Sequence, residues 1–136
     1  MIDIGAARAW LAGAAAGVTG VEVLPRGVVG TFTPPVAVIG QPDVQFDTEH
    51  MCGTDETTFP IAVVVRHHPG GPAATQAELE ELWPQVAARL RDHLDSDPSM
   101  GGICSAAELT DSTFGELQVQ GQAYPAQALT VTIHGG

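Results

Sequence analysis

Ile61-Ala62-Val63-Val64-Val65 is apolar at every position, and Arg66 ends the run. A strand that faces water on one side alternates, whereas an unbroken run of β-branched residues needs packing above and below. This stretch therefore predicts a central strand. After it, His68 to Ala73 carries Pro-Gly-Gly-Pro and reads as a loop. Thr75 and Glu78 then have the spacing of a capping box, in which each side chain satisfies the other's free backbone donor. Leu79, Leu82, Trp83, Val86, Leu90 and Leu94 recur at helical steps, with acids early and Arg89, Arg91 and His93 late, matching the helix dipole. The spacing predicts a long helix, bent where Pro84 removes a hydrogen bond.

On the other side of the central run, the chain turns polar. Residues 41–59 carry Asp43, Asp47, Glu49, Asp55 and Glu56, with Phe46, Met51 and Phe59 among them. This is expected to be an extended loop or a long hairpin arm, and long loops in compact domains tend to be functional. Earlier still, Pro34-Pro35 leads into Val36-Ala37-Val38-Ile39, read as a buried strand, and Val21 and Val23 alternate with Glu22 in a short one. Ile4, Ala7, Leu11, Ala14, Ala15 and Val18 form an apolar helical stripe, with Asp3 placed to cap it. Beyond the long helix, three short strands are expected near residues 103–109, 114–120 and 124–133, the last two joined by a turn at Gly121-Gln122-Ala123. Leu129, Val131 and Ile133 would face the core. These elements predict one α+β domain over residues 1–136: an antiparallel-rich β-sheet flanked by two α-helices, with a long acidic loop or hairpin arm.

Composition excludes several classes of function. The chain has sixteen acids, five arginines and no lysine, for a net charge of −11. That balance lacks the basic footprint of a nucleic-acid or anionic-membrane binder. Without lysine there is no phosphate-loop lysine and no Schiff-base nucleophile. Cys52 and Cys104 lie far apart with no CxxC, so two free thiols are expected. The Ala-rich start imitates a secretion signal, but Asp3 spoils its basic region and the segment is expected to stay with the domain. The uncharged run from Ala9 to Val21 is too short to cross a membrane, and the protein is expected to be soluble.

Motifs of chemistry are sparse. His67 and His68 are neighbours at a strand end, so their side chains diverge and cannot share one metal. His50-Met51-Cys52 has no second ligand pair, and Asp92, Asp95 and Asp97 lack the spacing of a calcium loop. No serine sits in a GxSxG elbow, and the glycine pairs at 70–71 and 101–102 read as loop punctuation. Trp10 and Trp83 read first as core anchors and second as interface residues. No catalytic, metal or cofactor site is expected.

The order of parts carries more information: short helix, Val-rich strand, Pro-Pro-Val strand, acidic arm, Val-Val-Val strand, then the helix ending Leu-Arg-Asp-His-Leu-Asp-Ser-Asp-Pro-Ser-Met-Gly-Gly, and a closing hairpin from Gly121 to Ile133. Over nearly the whole chain this layout resembles a tail terminator, or tail completion, protein of long-tailed phages. Leu94, Gly101, Gly102, Tyr124 and Val131 match as scaffold positions. The resemblance implies a structural virion protein that forms a ring, usually of six copies, on the finished end of the tail tube. It implies no enzymatic activity and no cofactor. Its implied partners are other copies of itself, the tail tube protein and the head–tail connector, at the neck of the virion and in the host cytoplasm during assembly. No membrane is involved. DNA would pass through the lumen without specific binding: six copies at −11 each carry −66, which repels it.

Interface residues are sought on the arm and the sheet edges: Phe46, His50, Met51, Phe59 and Arg66. Three other readings stay open. They are a head–tail connector or other neck component, a secretion-system tube accessory, and a small cytoplasmic enzyme using His67 with an acid.

Overall fold

The computed structural model describes residues 2–27, 33–46 and 55–135. Among these residues two helices, α1 (Ile4–Ala15) and α2 (Pro72–Ser96), accompany six strands: β1 (Glu22–Leu24), β2 (Val36–Ile39), β3 (Asp43–Gln45), β4 (Glu56–Val64), β5 (Ala106–Val119) and β6 (Gln122–His134). The strands make one mixed sheet in the order β1-β2-β4-β6-β5, with β3 also pairing β4. Only β1 and β2 run parallel; the other pairings are antiparallel. The expected α+β domain with two helices and a mostly antiparallel sheet is what forms.

β4 holds the centre. One edge pairs with β6 along its whole length, and the other pairs with β3 and then β2. Its alternation sorts the two faces: Phe59, Ile61, Val63 and Val65 are fully buried towards the helices, together with Leu129, Val131 and Ile133 of β6. Leu11, Leu79, Val86, Leu90 and Met100 cover them. On the opposite face Val36, Val38, Val64 and Ala126 form a smaller cluster with Leu24, Ala62, Leu117 and Tyr124 beside it. β2 and β4 thus bury apolar surface on both faces, as their unbroken apolar runs require.

Both helices begin where local chemistry directs. The Asp3 carboxylate accepts from the Ala6 N–H at 3.0 Å and caps α1. Helix α2 starts three residues before the expected capping box, with Gly71 as N-cap and Pro72 in the first turn. Proline is favoured there because its missing N–H would be unsatisfied anyway. Thr75 therefore lies inside the helix, where its hydroxyl accepts from the His68 N–H at 2.8 Å and donates to the Gly71 carbonyl at 3.2 Å. The helix continues unbroken through Pro84. Arg89 of α2 donates to the Ala16 carbonyl at the end of α1, and Gly17 sits at φ +101° directly under that guanidinium, where a Cβ would lie 2.9 Å from it. The close approach and the left-handed backbone both require glycine.

The C-terminal strands differ from expectation. Instead of three short strands there are two long ones, because the polar Asp111-Ser112-Thr113 is strand and not turn. A register shift between Leu109 and Asp111 absorbs the extra residue as a bulge. The hairpin turns at Gln120 and Gly121, with φ of 52° and 80°, between the paired Val119 and Gln122. Positive φ at both central residues is the two-residue turn that matches strand twist. Among the described residues the acidic arm expected over residues 41–59 is not discernible as a separate element: Asp43–Gln45 is β3, residues 56–59 open β4, and the two pair in the sheet, while residues 47–54 lie outside the described residues.

Two buried polar side chains differ in consequence. Arg8, 6% exposed, donates from Nη1 to the Pro25 carbonyl at 2.8 Å and to the Ile39 carbonyl at 3.0 Å, and lies 5.5 Å from the Phe59 ring centroid. Its removal strands two acceptors, so Arg8→Met is expected to cost about 2–4 kcal/mol, and Arg8→Lys to recover only part of that because the more strongly hydrated ammonium is costlier to bury. Thr57, 1% exposed, buries a hydroxyl that has no partner among the described residues. Thr57→Val is expected to gain about 1 kcal/mol. Urea unfolding midpoints check both, and an Arg8→Met midpoint equal to that of the parent contradicts the first.

Candidate functional site

The residues named from the sequence do not converge on one place. Phe46 follows β3 and is 63% exposed, the most exposed large apolar side chain described. Arg66, also exposed, lies past the other end of β4. Since β3 pairs Gln45 with Glu56, the two are separated by the length of β4, about 25–30 Å at the usual rise per residue. Phe59 is fully buried, held between the sheet and the Arg8 guanidinium, so its side chain serves the core and offers nothing to a surface. His50 and Met51, with Cys52, lie outside the described residues.

A cavity of about 360 Å³ opens where β4 leaves the sheet and α2 begins, lined by His67, His68, Pro72, Thr75, Gln76 and Phe114. The two histidines are engaged by backbone. His67 Nε2 is 3.1 Å from the Ala123 carbonyl, and His68 Nδ1 accepts from the Gly70 N–H at 3.0 Å. Those bonds orient the rings without an acid, so the His–carboxylate pair sought for general-base chemistry is not assembled by the described contacts of His67. Among the described residues no group of three His, Cys, Asp or Glu side chains is placed to hold a metal ion. No helix among them is long and apolar enough to cross a membrane.

A second cavity, about 290 Å³, lies on the sheet face away from the helices, between Val38, Pro60 and Ala62 on one side and Thr113, Gly115 and Leu117 on the other. Its walls are small and apolar. Phe114 reaches both cavities from the outermost strand and is 54% exposed. The sequence reading passed over this residue, although an aromatic flanked by Ser112, Thr113, Gly115 and Glu116 in a polar strand was a visible signal of an exposed apolar contact.

Cys104 closes the loop after α2. Its thiol reaches the carbonyls of Pro98 and Ser99 at 3.6 and 3.4 Å. Burial pushes its pKa up, and the nearby Asp97 carboxylate pushes it the same way. The neutral thiol is therefore favoured at neutral pH, the reverse of an activated nucleophile. Asp97 has a structural task instead, accepting from the Ser99 hydroxyl at 2.8 Å and the Gly101 N–H at 2.7 Å.

No family model matches the chain, and no curated protein matches it at a significant level.

Alkylation of Cys104, followed by peptide mass spectrometry, is expected to be several-fold slower than that of an unstructured cysteine peptide at neutral pH. Asp97→Asn should quicken it by removing the negative charge. A rate equal to the peptide's contradicts the assignment.

Proposed function

We propose that this chain is a structural virion protein that forms a ring, of six copies, on the end of a phage tail tube, ends tube polymerisation and offers the surface on which the head joins. The observation that carries the reading is a sheet whose helices both pack on one face, leaving long strands, a free edge and two separated apolar side chains, Phe46 and Phe114, for contact with other chains. The layout of parts along the sequence supports it. So does the architecture: a head-to-tail contact generates a closed ring only when one surface of a copy meets a different surface of the next. Phe46 and Arg66 at opposite ends of β4 mark two such surfaces.

In this reading Phe46, exposed just past β3, is the first contact with a neighbour. The partners are other copies of the chain, the tail tube protein below and the head–tail connector above. The site of action is the virion neck, after assembly in the host cytoplasm. The net charge of −11 per copy lets DNA pass the lumen without adhering.

The test mixes purified protein with polymerising tail tube protein and follows native mass and negative-stain images. Tubes should stop growing and carry a distinct cap, and Phe46→Asp should weaken capping at least about tenfold while the fold persists. Tubes that grow unchecked and bare at every ratio contradict the proposal, and binding to the connector alone favours a neck component instead.

A further inference from the structure

Strand β5 is the outermost of the sheet, is fourteen residues long, and is exposed at every position from Thr110 to Glu116. No strand among the described residues pairs its outer edge. An open edge presents a row of backbone donors and acceptors to any other strand, and folds usually guard it with proline, lysine or brevity. β5 has no proline and no lysine, and its guards are the acids Glu108, Asp111 and Glu116. Acids guard against some registers only.

We infer that, away from the tube, two copies of this chain pair through the outer edges of β5, antiparallel about a two-fold axis at Phe114. Directly opposed residues share a sheet face, so an axis perpendicular to the sheet must pass through a residue. An axis at Asp111 or Glu116 sets an acid against its own copy. One at Ser112 or Thr113 drives Phe114 or Glu116 onto the bulge at Thr110, one at Gly115 sets Phe114 against a Glu116 carboxylate, and one at Leu117 carries Phe114 to the hairpin turn at Gln120. The axis at Phe114 opposes Phe114 with Phe114, Ser112 with Glu116, Thr113 with Gly115 and Asp111 with Leu117. No acid then faces an acid, and the paired run 111–117 ends short of the bulge. The same register covers the exposed aromatic with an aromatic, a favoured cross-strand pair. The cavity of about 360 Å³ beside each ring leaves room for the second one.

This pairing uses the free edge and the Phe114 that the ring reading also leaves for contact, and it differs from the ring in symmetry. A two-fold contact closes at two copies, whereas a ring needs a head-to-tail contact. Because both partners are acidic, salt should tighten the pair, and a basic partner strand on the same edge would show the opposite dependence.

Sedimentation and light scattering of the full chain at micromolar concentration test it. The expected mass is twice 14.1 kDa, with dissociation weakening as salt rises from about 0.05 to about 0.5 M. Phe114→Lys should raise the dissociation constant at least about tenfold, since it opposes two cations on an edge. Ser112→Lys, facing Glu116, should hold or tighten the pair. Phe114→Cys should cross-link two copies through residue 114 on oxidation, read by peptide mapping. A chain that stays monomeric while folded, or a dimer indifferent to Phe114→Lys, overturns the inference. So does an edge that binds a basic peptide more tightly than its own copy. A six-copy species indifferent to Phe114→Lys overturns the pairing and leaves the ring reading standing. A pair that responds as expected but never caps a tube leaves the pairing and removes the ring.

Discussion

A guanidinium buried beneath the first helix ties α1 to three strands of the N-terminal half of the chain. Arg8 projects from α1, donates to carbonyls at the end of β1 and the end of β2, and lies over Phe59 at the heart of β4. A buried cation is costly unless its donors are used. Here the cost is offset by acceptors that would otherwise be left without partners where the parallel pair β1–β2 ends. The result is that α1 has one seat on the sheet. Arg89 repeats the device on the surface, reaching from α2 to the last turn of α1 over a glycine that leaves it space. Two arginines of the five therefore set the relation of both helices to each other and to the sheet.

Much of this was legible in the residues. The unbroken apolar run of β4 located the centre of the sheet, the stripes of α1 and α2 gave their buried faces, and Asp3 capped α1 as its position required. The failures have physical causes. Pro72 outranked the Thr75–Glu78 spacing because a proline suits the first turn better than a capping box can compensate. Asp111-Ser112-Thr113 has turn composition but lies on an edge strand, where polar residues cost nothing, and a bulge carries the extra residue. Arg8 sits in the stripe Ile4, Arg8, Leu11, Ala15 at helical steps, so its burial was open to inference. That it would bond carbonyls of two distant strands was not, because such contacts exist only once the chain has folded.

The candidate contact residues were harder to place, and the difficulty is instructive. Phe59 was drawn to the surface by its polar neighbours, yet strand alternation puts it on the helix face with Ile61 and Val63. Phe46, one strand away among equally polar residues, is 63% exposed, with no such partner among the described residues. Phe114 lies on the same face as core residues, but only across a cavity from the first turns of α2, so alternation alone does not bury it. Sheet position, not local composition, separates a core aromatic from a contact aromatic here. The cavity beside the histidines assembles no acid–base pair through the described contacts of His67 and His68.

Hydrogen exchange by mass spectrometry, on the dilute chain and on the assembled form, tests most directly whether the chain works through its edges. The account predicts that β4 amides are the slowest to exchange in both states, while residues 43–46 and 111–117 gain protection on assembly. Assembly that leaves both of those stretches as exposed as before, or that protects only the residues lining the histidine cavity, would contradict it.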